Sequence, residues 1–270
     1  MKRVFKIIGL ISLTCFSFFI TEKTSVVVKN MDDIMISIRE NSNAFKTQSV
    51  DAIIVGDTII PGISGKKVNI NKSYKNMKEY GSYNEDLYAY DYVRPSINLN
   101  DNKNKKIVNI NKNKRMIGLT FIIKGNDNIY EILNTINNYK IKVTFFIDSN
   151  WFSNNSNTVI NLIKQGHNIG FIDSADWMNV VIKSIDKKAN TYCYVSDTNI
   201  NDCIKENMYL VKPYNVSLNT PLLDIKSSID KHNIFALKLS KELKKELPNI
   251  IIYIKSKGYT ITNLDESVLE

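Results

Sequence analysis

The stretch RMIGLTFIIKGNDNIYEILNTINNYKIKVTFFIDSNWF, Arg115 to Phe152, decides the fold. Met116 to Ile122 is an apolar strand, with Thr120 its one polar side chain. Ile129, Ile132, Leu133, Ile136 and Tyr139 then recur at the spacing of one helical face. Lys142 to Ile147 is a second apolar strand. Strands without polar alternation are buried on both faces, which calls for parallel pairing under a layer of helices.

Working outward, the same alternation repeats to the end of the chain. Further strands are expected at Asn168 to Ile172, Tyr192 to Val195, Tyr209 to Lys212, Ile234 to Leu239 and Tyr259 to Leu264. Helices fall between them, the last one, Lys241 to Lys257, expected to be disturbed at Pro248. Seven such units predict an α/β fold, an incomplete (β/α)7 barrel, with an open doubly wound sheet as the alternative. Chemistry in such barrels sits at the C-terminal ends of the strands. That directs attention to Ile122-Ile123-Lys124, Asp148, Ile172 to Asp176, Ser196-Asp197, Pro213-Tyr214-Asn215 and Lys238-Leu239-Ser240.

Upstream, Met1-Lys2-Arg3 followed by the apolar run Ile7 to Ile20 reads as a signal anchor over residues 1–28, or as a cleaved signal peptide. Either places the remainder outside the cytoplasm, held at the cell membrane by a single pass or secreted. Residues 29–100 read as a small N-terminal α/β domain. It holds a helix at Met31 to Arg39, a hairpin through Gly56-Asp57, and a helix to Tyr80 capped by Asn71 or Ser73. The polar tract within 101–113 reads as a linker, and 114–270 as the barrel. Cys193 and Cys203 flank a short loop that a disulfide closes in an oxidising compartment, unless the two are buried thiols. The net charge of +9 invites a polyanion, but lysine is abundant throughout alongside Asn and Ile. No basic stripe is interleaved with aromatics, and export argues against nucleic acid.

The strand ends carry a resemblance. The segments RMIGLTFIIKGNDNIYEILNTINNYKIKVTFFIDSNWF, VINLIKQGHNIGFIDSADW, YLVKPYN and LPNIIIYIKSKGYTITNLDE resemble, in order, the scaffold words of the polysaccharide deacetylase (NodB-homology) family. The resemblance runs from about Lys114 to the C-terminus. The region before it is similar, less specifically, to membrane-anchored deacetylase-like proteins of low-GC bacteria. It implies a deacetylase-type barrel and removal of acetyl groups from N-acetylated glycans by an aspartate base and a metal held by Asp and two His. The residues that should do this are absent. Ile122 and Ile123 fall on the two acidic positions of the first motif. Ile172 and Asp176 fall on the two histidines of the second, and Val211 on an arginine. Leu239, or Lys238 with a one-residue slip, falls on the late histidine.

Isoleucine has no lone pair for a metal and takes no proton. Of three implied ligand positions only Asp176 offers oxygen, where zinc ordinarily has three or four protein ligands. Loss of a general base alone costs roughly 10²–10⁴-fold. The expectation is therefore a pseudoenzyme with no cofactor, binding cell-wall glycan or an extracytoplasmic protein. The alternative is an active carbohydrate deacetylase with a non-standard site. Trp151, Asp173, Trp177 and Tyr214 are the candidate cleft residues, the aromatics as stacking surfaces for sugar rings.

Overall fold

The computed structural model describes Ser17 and residues 26–173, 176–196 and 199–270. Most of the anchor expected over 1–28 lies outside them. Among the described residues no helix is long and apolar enough to cross a membrane. The described residues form two compact units, one drawn from those up to 49 and from 64–93, the other from those in 50–63 and from 94 onward.

The first four described strands are short: β1 (Ile53–Val55), β2 (Thr58–Ile60), β3 (Gly65–Val68) and β4 (Tyr90–Val93). The smaller unit pairs β3 with β4 antiparallel and adds helices α1 (Asp33–Asn41) and α2 (Ile70–Tyr80). Its core gathers Ile38, Val68, Met77 and Tyr88. Asn69, not Asn71 or Ser73, caps α2 by accepting from Lys72 N at 2.9 Å. Ser73 instead turns its hydroxyl to Ala89 N at 3.0 Å, inside the unit.

In the larger unit every expected strand is present: β6 (Met116–Ile123), β7 (Thr144–Ile147), β8 (Asn168–Phe171), β9 (Tyr192–Tyr194), β10 (Tyr209–Val211), β12 (Ile234–Lys238) and β13 (Thr260–Thr262). They belong to one sheet with β1, β2, β5 (Lys106–Ile107) and β11 (Tyr214–Asn215). Its order is β1-β2-β5-β10-β9-β8-β7-β6-β12-β11, with β13 beside β6. Only β1 and β2 pair antiparallel; the remaining pairs are parallel.

Helices α3 (Tyr130–Asn138), α4 (Ser149–Asn154), α5 (Ser156–Lys164), α6 (Asp176–Ile185), α7 (Ile200–Lys205), α8 (Pro221–Ser228) and α9 (Lys241–Ser256) follow the strands. Ile59 of β2 and Ala236 of β12, far apart in strand order, share one inner cluster, so the sheet curls into an open barrel. A second, larger cluster lies between the sheet and the helices.

The structure corrects the expected boundaries in two places. The hairpin of β1 and β2 belongs to the barrel, with Ile59 beside Ile107 of β5, and not to the small domain. The stretch 101–113 is not a free linker: Ile107 and Ile110 are fully buried and β5 pairs with β10. A single buried isoleucine on a two-residue strand is enough to recruit a polar tract, and periodicity has no purchase on so short an element. Pro248 also fails to interrupt α9, whose Leu243, Leu247, Ile250, Ile251 and Ile254 all face the core.

Candidate functional site

The Gly166-His167 turn closes α5 and leads into the N-terminal end of β8. Helix α5 closes with Gly166 at φ +84, its N–H on Ile163 O and the next N–H, from His167, on Leu162 O. That pair of bonds is a Schellman closure, which favours glycine at the left-handed position. His167 then folds inward; its Nδ1 accepts from Val143 N at 3.2 Å, which binds the turn to the strand entering β7. Burial, with the Lys142 ammonium nearby, lowers the imidazole to about 4, so it is neutral and structural. Gly170 lies within β8, beside Phe146 of β7. A Cβ there would lie 2.5 Å from the Phe146 ring, so only glycine lets that ring fill the barrel interior.

At the mouth the strands alternate. Ile122 and Val211 are buried in the inner cluster, with Ile172 packed against it. Ile123 points the other way and is fully buried in the cluster beneath the helices. Thus the two residues on the implied acidic positions do not share a face, as period-two alternation requires. Lys238 is opposite Ile122 in register and exposed, whereas Leu239 packs partly buried against the outer cluster. Tyr194 sets its ring edge-on to Phe146 at 5.6 Å and gives its hydroxyl proton to Asn215 Oδ1 at 2.7 Å.

The acidic residues of the rim are engaged as caps and turn anchors. Asp148 accepts from Trp151 N at 2.7 Å and Gly125 N at 2.9 Å. Asp173 accepts from Ser149 N at 3.0 Å and from its hydroxyl at 2.7 Å. Asp127 takes Lys124 N at 2.8 Å. Asp176 is exposed in the first turn of α6. Asp197 lies outside the described residues.

The donor set does not fit the metal that the resemblance implies. Two of the three ligand positions, Ile123 and Ile172, present hydrocarbon, as does Ile122 where the base should stand. Among the described residues no group of three or more His, Cys, Asp or Glu is placed to hold a metal ion.

Three of the four candidate cleft residues gather at α4, where Asp173 holds Ser149 and Trp177 packs on Phe152, while Tyr214 lies elsewhere. Trp151 is 2% exposed, with Nε1 donating to Asp127 O at 2.8 Å; it is core, not a stacking surface. Trp177 is exposed, edge-on to Phe152 at 5.0 Å, beside Asp202 and Lys205. Tyr214 stacks on His232 at 4.5 Å and donates to Asp224 at 2.9 Å. Cys193 and Cys203 are joined by a disulfide, with Cα atoms 6.1 Å apart, tying β9 to α7.

Sequence reasoning missed Asn199, which donates to Ile172 O at 2.7 Å and Tyr194 O at 3.0 Å and so fixes two mouth strands together. It also missed an open cleft of about 570 Å³ lined by the Gly125–Asn128 turn and helices α3 to α5. The Gly-Asn-Asp-Asn run before α3 was the available signal for the second; nothing local signals the first.

Residues 109–228 match the family model described as Polysaccharide deacetylase. These residues form a polysaccharide deacetylase domain. The fold of the surrounding chain agrees. Wild-type BA3943 of Bacillus anthracis, described as a CE4 family pseudoenzyme, superposes with a TM-score of 0.61 at 18% identity, over 88% of this chain and 95% of that one. A BA3943 mutant described as having restored enzymatic activity superposes at 0.62, also at 18% identity, over 88% and 98%. At that identity the likeness is one of fold. The uncharacterized protein YlxY of Bacillus subtilis strain 168 is 37% identical over 112 residues. The match takes in 41% of this chain and 35% of YlxY, so the chain spans about a third of that curated relative. The domain thus keeps the deacetylase scaffold around a mouth built largely of hydrocarbon.

Proposed function

We propose that the chain is a non-hydrolysing deacetylase-type protein that binds cell-wall glycan outside the cytoplasm. The observation that carries the proposal is Ile122, buried in the inner cluster with Val211 and packed by Ile172 where the family's reaction needs a base and metal. At Ile122, Ile123 and Ile172 the side chains offer no group for proton abstraction or for holding a Lewis acid. Pseudoenzymes with this fold support the reading, as does the restored activity described for one mutant: in BA3943, scaffold and chemistry are separable. The disulfide and the N-terminal apolar run support an extracytoplasmic, membrane-held location, with a secreted form as the alternative.

The test is acetate release. The purified chain, incubated with N-acetylated chito-oligomers and Zn²⁺, Co²⁺ or Mn²⁺, is expected to release no more acetate than a heat-inactivated control while being retained on insoluble peptidoglycan. Metal-dependent turnover would establish the rival reading, an active deacetylase with a non-standard site. Absence of retention would favour a protein partner over glycan.

A further inference from the structure

The cleft beside the mouth shares none of the residues on the family's catalytic positions. Its volume, about 570 Å³, falls within the roughly 300–1,000 Å³ of small-molecule sites. Its lining is two-sided. Ile129 and Leu133, with the edge of Trp151, give it an apolar wall. Tyr130, 68% exposed, gives it an aromatic face open to solvent. Part of the polar lining is unspent: Asn154 and Asn155 donate to Asn150 Oδ1 and Trp151 O, but the Asn126 amide and the Thr158 and Tyr130 hydroxyls make no hydrogen bond among the described residues. Asn128 commits only Oδ1, to Tyr130 N at 2.9 Å, and leaves its NH₂ group.

Charge narrows the ligand class. Asp127 is the one charged residue of the lining among the described residues, and one of its oxygens already holds Lys124 N. With no lysine or arginine among the described lining residues, a phosphate or uronate meets no counter-charge there. With one carboxylate and no histidine or cysteine among them, a metal meets no ligand set. An aromatic face beside several free amides and hydroxyls suits a ligand that carries both an apolar ring face and neutral polar groups.

We propose that this cleft binds an uncharged saccharide, Tyr130 stacking on a pyranose ring and Asn126, Asn128 and Thr158 bonding its hydroxyl and acetamido groups. The proposal rests on the glycan-binding reading above and moves the contact from the mouth to its flank.

The test titrates the full chain with a tetramer of N-acetylglucosamine by calorimetry. It compares the chain as it stands with the exposed-site variants Asn126→Ala and Tyr130→Ala and the mouth variant Lys238→Ala, each checked for an unchanged melting temperature. The expected result is a Kd raised about tenfold or more by each cleft variant, the equivalent of roughly 1.4 kcal/mol, and unchanged by Lys238→Ala. Binding that the cleft variants leave intact overturns the cleft while the glycan reading stands. No binding to the tetramer, together with no retention on peptidoglycan, overturns both. Binding to peptidoglycan stem peptides but not to the tetramer overturns the saccharide assignment.

Discussion

Lys238 of β12 stands opposite Ile122 of β6 in parallel register, and the alternation of both strands puts the pair on the inner face of the sheet. The mouth therefore offers an ammonium group beside a hydrocarbon floor. A divalent cation approaching it meets like charge and, among the described residues, no set of three ligands, the reverse of what metal-assisted hydrolysis requires. A ligand bound only by the native state raises its stability in proportion to occupancy. Zn²⁺ or Mn²⁺ at millimolar concentration is accordingly expected to leave the melting temperature within about 1 °C, by scanning calorimetry. A saturable rise of several degrees, abolished by Asp176→Ala, would show that the mouth holds a metal after all.

The opposite orientation of Ile122 and Ile123 sets the outcome of any attempt to rebuild the acidic pair. Ile123→Asp buries a carboxylate among the helix-facing core side chains, with no cation in that cluster. Ile122→Asp sits at the inner rim, in register with Lys238. Urea unfolding should show Ile123→Asp costing on the order of 4 kcal/mol or more, and Ile122→Asp distinctly less. Equal losses would mean that the two side chains share a surface.

That difference marks where the sequence stops being legible. Seven barrel strands could be read because each is an apolar run buried on both faces. The same property hides which residue faces which way, so Ile122 and Ile123 looked equivalent. The resemblance located the implied site; only packing shows that Ile123 left it. Pairing of β2 with β5 joins residues about fifty apart in sequence through one isoleucine on each strand, a signal too small for any local pattern. An indole beside a strand end is more often core or rim packing than a sugar platform, and the sequence alone leaves both open for Trp151. Its hydrogen bond to Asp127 O, a tertiary contact, decides for core.

The disulfide closes a short loop at the mouth, with a sequence separation of 10. Chain-entropy arguments for a loop of that size give about 2–3 kcal/mol. The double variant Cys193→Ala with Cys203→Ala should lose about that much in urea. Reduction of the unaltered chain should lower stability similarly, and reductant should leave the variant unchanged. A variant as stable as the parent would show that the bond does not constrain the chain.

Gly170 and Phe146 are expected to couple. A methyl group at Gly170 meets the Phe146 ring at 2.5 Å and the Tyr192 carbonyl at 2.9 Å, so Gly170→Ala overpacks the inner face. The cost should be about 1–3 kcal/mol. Phe146→Leu removes the closest obstacle, so in a double-mutant cycle Gly170→Ala should cost less in that background by about 1 kcal/mol. Additive losses would place the strain at Tyr192 O instead.

His167 gives the domain a pH-dependent component of stability whose sign follows from its environment. Burial holds the imidazole at about 4, against an ordinary 6.5, with Lys142 adding to the depression. The folded state therefore binds fewer protons than the unfolded state between these values. Stability rises with pH wherever the unfolded state binds more protons. The contribution is fully present above about pH 6.5 and drains as pH falls through 4. Over pH 7.5 to 4.5 it amounts to roughly 2–3 kcal/mol. His167→Gln removes the titrating group and a partner of Val143 N, so that variant should be weaker at pH 7.5. It should also lose about that much less than the parent on acidification to pH 4.5. Carboxylates titrate equally in both chains, so the difference between the two urea-unfolding profiles isolates His167. Parallel profiles would show that the imidazole is not held neutral by burial.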